Sequence, residues 1–407
     1  MIGKNSGKIG AVHTQVPPEF RYDVERFAQE QAETLRYLTQ NGYSILPYPE
    51  QLPTGNSHGV AAAIAYPMQG VLKYHGLSDW QARIAYLPTI SLNSDSAHSL
   101  TVVEFDPYLS ADELTLNQQV MTGRPLERVS ETLNFVRQLA GITSHARVVS
   151  QNVVRARITG KGLGTSASGG AALAMAALGA AFGAEIAHHT RFASTIARRL
   201  AGSGCRSLAG GLALWLSYPG CPDADSFALR LDTQGELDDV CLLTVPLNSR
   251  VGLQTEMAHA DAPHSPFFRT WVESRHADLL ECIQAVQKGD WQTIGALAEL
   301  DSIRLHGVTM SGSRGHKLYG WEPENIHFFR ACNELRDNGS PVYFSTDTGP
   351  TLVFITHQNY LPTVKNQLQS IIDDLQLETD LVVGKIAGPA ELIPVETALQ
   401  ALKRPLE

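Results

Sequence analysis

The chain has 407 residues, a formal net charge of −9, 43% hydrophobic residues and 18% charged residues. That size and balance fit a globular protein with a real core and room for two domains of ordinary size. The negative charge excludes a general attraction to nucleic acid, though not a local basic pocket for a small anion. Five dispersed cysteines (Cys205, Cys221, Cys241, Cys282, Cys332) show no CxxC spacing. They are expected as reduced thiols in a cytoplasmic protein rather than as a disulfide frame or zinc site. The first twenty residues lack an apolar h-region, and no uninterrupted run approaches 18 apolar residues, so neither a secretory signal nor a membrane span is expected.

In chain order, residues 1–55 form a distinct extension. Pro17 and Pro18 precede "YDVERFAQEQAETLRYLTQNGY", whose apolar residues recur at helical spacing and whose end is marked by Asn41-Gly42. A Pro/Gly-rich connector, "PYPEQLPTGNSHG", follows. From His58 the pattern turns to strands: "GVAAAIAYPMQGVLKYHG", "SAHSLTVVEFDPY" and "RVVSQNVVRARI". Helices are predicted over 126–140, 168–183 and 190–201. Beyond a boundary near 218–245, "DDVCLLTVPL" and "PVYFSTDTGPTLVFIT" read as strands, and residues 265–290, 291–310 and 323–339 as helices. Strands and helices without strict alternation give an α+β class, divided as 1–55, 56–235 and 236–407.

Four stretches carry chemistry. In "ITGKGLGTSASGGAALA" the Walker ending Gly-Lys-Ser/Thr is absent, because Lys161 is followed by Gly162 and Leu163. Glycines and hydroxyls at a helix start still make an anion cradle, with the helix dipole adding positive potential. Thr165, Ser166 and Ser168 could donate to phosphate oxygens or simply cap the helix. "AGSGCRSLAGG" sets Arg206 behind Gly202, Ser203 and Gly204, where its rigid fork suits a phosphate or carboxylate. Asp347 sits at a turn between two apolar runs, where catalytic and ordinary turn aspartates both occur. Lys73 ends an apolar strand, where an ammonium either pairs, with Asp347 as a candidate partner, or snorkels to the surface. His306 keeps a structural reading, the pair His188-His189 before a helix start is expected in solvent, and the basic "SGSRGHK" loop reads as a flexible loop with closure over an anion as its alternative.

These stretches, in order, resemble the mevalonate diphosphate decarboxylase branch of the GHMP kinase superfamily. "GVLKYHG" is similar to that family's "IALIKYWGK", and "GLGTSASGGAALA" to its "GLASSASGxAAL". "SGCRSLAGGLALW" resembles "GSGSACRSLxGGxxxW", "DSIRLHGVTM" resembles "DSxxFHAxxLD", and "YFSTDTGPTLVF" resembles "YTFDAGPNAVL". The likeness runs from about residue 58 to about 395. It implies a two-lobed GHMP α+β fold with a cleft site and a carboxy-lyase of isoprenoid biosynthesis. Such an enzyme phosphorylates the C3 hydroxyl of a 5-phosphorylated mevalonate and releases CO2 and phosphate.

Carried over by position, the resemblance gives Asp347 the C3 hydroxyl and Lys73 the neighbouring ammonium. Tyr74, Ser203, Arg206 and Ser207 fall on substrate-binding positions, and Lys161, which the family's loop lacks, is a further substrate-binding candidate. Gly162, Gly164, Thr165, Ser166, Ser168 and Gly169 fall on the nucleotide loop. ATP with Mg2+ is the implied cofactor, no side chain is implied as a metal ligand, and a homodimer is the common assembly. No nucleic-acid or membrane partner is implied.

The sequence departs from the family in four places. The second lysine of "KYWGK", a diphosphate contact, is Leu77 here, and an upstream asparagine is Met68. "FPTAAGL" becomes "ITGKGL", and the arginine loop is one residue shorter. Loss of that lysine favours a 5-monophosphate substrate. The altered lead-in leaves two alternatives open: an ATP-independent decarboxylase of mevalonate 3,5-bisphosphate, with Lys161 on the 3-phosphate, and a GHMP kinase whose product keeps its phosphate.

Overall fold

The computed structural model describes residues 14–155, 163–249, 255–315 and 317–403. The N-terminal segment is threaded into the body. A helix spans Val24–Gln40 and ends as its apolar spacing predicts, with Asn41 as C-cap and Gly42 at φ +86°. Phe20 and Phe27 enter a cluster with Tyr86 and Phe268, while Leu38 joins Leu72, Ile90 and Ile283. Full burial of a leucine such as Leu38 contributes roughly 1.5–3 kcal/mol.

Three main sheets follow. The six-stranded sheet runs, edge to edge, Glu391–Ile393, Val60–Ala65, Ala97–Asp106, His145–Val154, Glu113–Leu116 and Gln119–Met121. It is antiparallel except where Glu113–Leu116 lies parallel to His145–Val154. A four-stranded sheet orders Ala228–Arg230, Leu212–Trp215, Thr89–Asn93 and Met68–Leu72. A second four-stranded sheet orders Val342–Ser345, Leu352–His357, Val240–Val245 and Val382–Lys385. A boundary near residue 235 would put everything after it in the second lobe. The chain instead returns, pairing Ala62 with Ile393 and packing the Val395–Leu402 helix on Leu100 and Val102.

The helix Thr165–Phe182 lies across the six-stranded sheet, against Ala63, Val103 and Phe105. Small residues let it come close: a Cβ on Gly179 would meet Leu392 and Ala61 at 2.9 and 3.0 Å. Among the described residues this is the one helix long and apolar enough to cross a membrane. Its burial against the sheet explains that composition, since a helix apolar all round needs cover on every side. The predicted start at 168 was three residues late, because Thr165, Ser166 and Ala167 already form the first turn. The five cysteines are free and buried.

The two halves share one core. Val71, Leu72 and Leu212 from one four-stranded sheet pack with Leu242 and Ile355 from the other, and with Ile283, Ile294 and Ala298 from helices Phe268–Gln287 and Trp291–Gly312. That shared core fixes the end of the Met68–Leu72 strand against the turn after Val342–Ser345, which is where the polar residues converge.

Candidate active site

The strand Met68–Leu72 has a bulge between Gly70 and Leu72 and delivers Lys73 into the interior. Lys73 is 2% exposed, and its Nζ donates to Gly70 O at 2.7 Å, Ser345 Oγ at 2.8 Å and Asp347 Oδ1 at 2.9 Å. Three acceptors satisfy an ammonium that burial otherwise penalises. Burial pushes Lys73 below its ordinary value, and the Asp347 charge opposes that shift. Gly70 makes the approach feasible, since a Cβ there would stand 3.0 Å from Asp347 Oδ1 and 3.2 Å from Lys73 Nζ. Oδ2 of Asp347 makes no hydrogen bond among the described residues, and the side chain is partly open.

A second buried ion pair holds the lysine's backbone. Asp301 Oδ2 accepts from Lys73 N at 2.6 Å, and Arg275 Nη2 donates to Lys73 O at 2.9 Å. Arg275 and Asp301 pair at 2.8 Å, both fully buried, and Trp271 Nε1 donates to the other aspartate oxygen at 2.7 Å. Sequence reasoning gave neither residue a role, although Asp301 opens the "DSIRLHGVTM" stretch. The signal was a charge on an otherwise apolar helix face: Asp301 among Leu297, Ala298 and Leu305, and Arg275 among Trp271, Val272 and Leu279.

Arg206, on the short helix Gly204–Ala209, is 2% exposed with Nε and Nη1 unpartnered. Its guanidinium lies 5.6 Å from the centroid of the Tyr74 ring. Burial pushes its pKa down, with Tyr74, Cys205 and Asp347 opposing. Among the described residues no carboxylate pairs directly with this buried guanidinium, so it is suited to an anion. Lys73, Tyr74, Ser203, Arg206 and Asp347 line one cavity of about 120 Å³, together with Met68, Gly70, His259, Leu305 and Thr348.

A second cavity, of about 200 Å³, opens at the start of the Thr165–Phe182 helix and is lined by Thr165, Ser166, Gly169, Ser150, Asn152 and Arg128. Gly164 enters the helix in the left-handed region at φ +72°, where a Cβ would lie 2.7 Å from Met68 O. That contact joins the helix start to the strand that carries Lys73. Arg128 Nε is buried there without a partner. Hydroxyls, a helix N-terminus and the free Nε of a guanidinium whose Nη2 is held by Leu200 O form a donor set suited to nucleotide phosphates. No group of three His, Cys, Asp or Glu residues able to hold a metal occurs among the described residues.

Two predicted residues sit elsewhere. Ser168 is buried on the inner side of its helix, with Oγ 2.7 Å from Ser99 Oγ and 3.2 Å from Thr165 O. Ser207 is buried, its hydroxyl is unpartnered and it does not line either cavity. Lys161 and Gly162 lie outside the described residues. Leu77 packs with Ala85, Cys205, Ala209 and Trp215, so its place beside Tyr74 is apolar. His189 is no free surface group: its Nδ1 caps the Thr190–Leu200 helix by accepting from Phe192 N at 3.3 Å.

Residues 65–228 match the diphosphomevalonate decarboxylase-like N-terminal domain. The phosphomevalonate decarboxylase of Haloferax volcanii is 35% identical over 83% of this chain and 99% of its own length. The chain belongs to this decarboxylase family. Mevalonate 3,5-bisphosphate decarboxylase of Thermoplasma acidophilum is 25% identical, over 84% of this chain and 81% of that one. Among solved structures, mevalonate diphosphate decarboxylase from Staphylococcus aureus superposes with a TM-score of 0.75 at 28% identity, covering 83% of this chain and 98% of that one. The enzyme is thus a carboxy-lyase on a GHMP kinase-type α+β fold.

His306 adds a pH-dependent feature to this decarboxylase. Its Nε2 lies 3.1 Å from Thr346 Oγ1, and its ring stacks on Trp321 at 4.2 Å. Burial, with the Lys73 charge second, pushes it down to about 3. The folded protein keeps a neutral ring that the unfolded chain protonates below about pH 6.5. Folding stability is expected to fall as pH drops from 6.5 towards 3, by up to about 1.4 kcal/mol per pH unit from this group. Urea unfolding of wild type and His306→Gln over that range checks it, and equal acid slopes would remove His306 as the cause.

Proposed function

We propose that this carboxy-lyase decarboxylates mevalonate 5-phosphate to isopentenyl phosphate, with ATP as phosphoryl donor. The observation that carries the monophosphate reading is Leu77, buried among apolar side chains where the family's second lysine would meet a diphosphate. Among the described residues the cations lining the substrate cavity are Lys73 and Arg206. Lys73 is already bound to Asp347, which leaves Arg206 for a carboxylate or a single phosphate. The nearness of the cavity at the Thr165–Phe182 helix start supports a nucleotide whose phosphates point towards Lys73.

Asp347 does the first step. With Oδ1 held by Lys73, Oδ2 is free to orient the tertiary C3 hydroxyl and take its proton. ATP, when bound, supplies the phosphoryl group that turns this oxygen into a leaving group. The C3–O bond then breaks towards phosphate, the carboxylate carbon leaves as CO2, and its bonding pair becomes the new C=C bond. Lys73 and Arg206, in a site shielded from water, oppose the negative charge that grows on the departing phosphate.

Offering mevalonate 5-phosphate, 5-diphosphate and 3,5-bisphosphate separately, with and without ATP and Mg2+, tests this. CO2 release from the 5-phosphate with ATP is expected, at a kcat/KM at least about tenfold above that for the 5-diphosphate. CO2 from the bisphosphate without ATP, and none from the 5-phosphate with it, would overturn the ATP-dependent reading. A phosphorylated product without CO2 would leave a kinase.

A further inference from the structure

His259 belongs to no motif identified in the sequence, yet it lines the cavity with Lys73, Arg206 and Asp347. It is carried by the helix Thr255–Asp261. Its Nδ1 accepts a hydrogen bond from Gly76 N at 2.9 Å. A ring nitrogen that accepts has no proton, so in the neutral ring the proton is on Nε2. Burial, aided by the Arg83 charge, lowers His259 to about 4, which keeps the ring neutral near pH 7.

The ring is also held in place. It stacks on Tyr74 at 5.3 Å with an interplanar angle of 18°, and Arg206 lies over the same tyrosine. Gly76 has φ +87°, and a Cβ there would meet the Tyr86 ring at 3.2 Å, so the backbone that presents this N–H to His259 requires glycine. Leu77, next to Gly76 in sequence and packed in an apolar cluster, offers no charge. The geometry points to His259 Nε2–H as a donor to the substrate's 5-phosphate, in place of an ammonium at position 77. This rests on the substrate being a 5-phosphorylated mevalonate. A neutral donor recognises phosphate oxygens without adding a positive charge, so it suits a monophosphate better than the more highly charged diphosphate.

Two substitutions separate this role from simple propping of Gly76. In His259→Asn, Oδ1 stands where Nδ1 stood and keeps the Gly76 bond, but the distal donor is gone. In His259→Gln, the amide NH2 reaches the Nε2 position, but the Gly76 acceptor is lost. The expected result is a KM for mevalonate 5-phosphate raised about tenfold or more in His259→Asn, as for a lost hydrogen bond to a charged group. Its kcat should stay within about threefold of wild type, the mark of uniform binding. In His259→Gln the KM should stay within about threefold of wild type. Wild-type KM in His259→Asn, or equal losses in both variants, would overturn the assignment. If wild type prefers the 5-diphosphate, the monophosphate reading fails separately, and the same contrast measured on that substrate still decides whether His259 touches phosphate.

Discussion

Asp347→Asn is expected to lower kcat by about 10³-fold while leaving KM for the mevalonate substrate within a few fold. Asparagine keeps the shape of the side chain, and its carbonyl oxygen can still accept from Lys73 Nζ, now 2.9 Å from Oδ1. What disappears is a group able to take the C3 hydroxyl proton. A tertiary alcohol without such an acceptor is a poor nucleophile, so the loss falls on the chemical step rather than on binding. Lys73 need not become a stranded charge, because burial already lowers its pKa and it retains Gly70 O and Ser345 Oγ as partners. Steady-state CO2 and ADP release, with near-ultraviolet circular dichroism as the check on folding, measures the effect. A kcat within about tenfold of wild type would mean that Asp347 is not the proton acceptor.

Some of this site was legible in the sequence because single residues broke a local pattern. Lys73 at the end of an apolar strand had either to pair or to snorkel, and Asp347 at a glycine turn was a candidate partner. Their separation of 274 positions is invisible to any local rule. The glycine-rich run before residue 165 announced a close backbone approach, and the structure puts Met68 O at that point. Ser168 shows the limit of such reading, because helical phase decides whether a hydroxyl in the first turn faces a cavity or the sheet. Here it faces Ser99.

The rest was illegible for a different physical reason. Asp301 and Arg275 lie on separate helices, and a charge on an apolar face of either one does not show that the two meet beneath Lys73. His259 has meaning only through Gly76, on a distant strand connection. The return of Glu391–Ile393 to the first sheet is likewise a long-range pairing, set by an edge that Val60–Ala65 leaves open.

Arg206→Met is expected to lower kcat/KM by about a hundredfold or more, and yet to leave the ligand-free protein as stable as wild type or more stable by about 1–4 kcal/mol. The two signs differ because the guanidinium is buried with Nε and Nη1 unpartnered, and among the described residues no carboxylate, Asp347 included, comes within ion-pair distance of it. In the empty enzyme it costs desolvation that little offsets. Methionine has a similar length and packs against Tyr74 and its neighbours without that cost. With substrate bound the balance reverses, since a carboxylate or phosphate supplies the missing acceptors and the low-dielectric surroundings strengthen the contact. Substrate should therefore raise the melting temperature of wild type more than that of the variant, in keeping with tighter binding to the folded state. Urea unfolding without ligand and thermal shifts with mevalonate 5-phosphate read the two effects separately. A destabilised Arg206→Met that kept near-normal kcat/KM would assign the arginine to holding its loop. The opposite pair of results would assign it to the substrate, as an unpaired charge that the fold retains for a ligand.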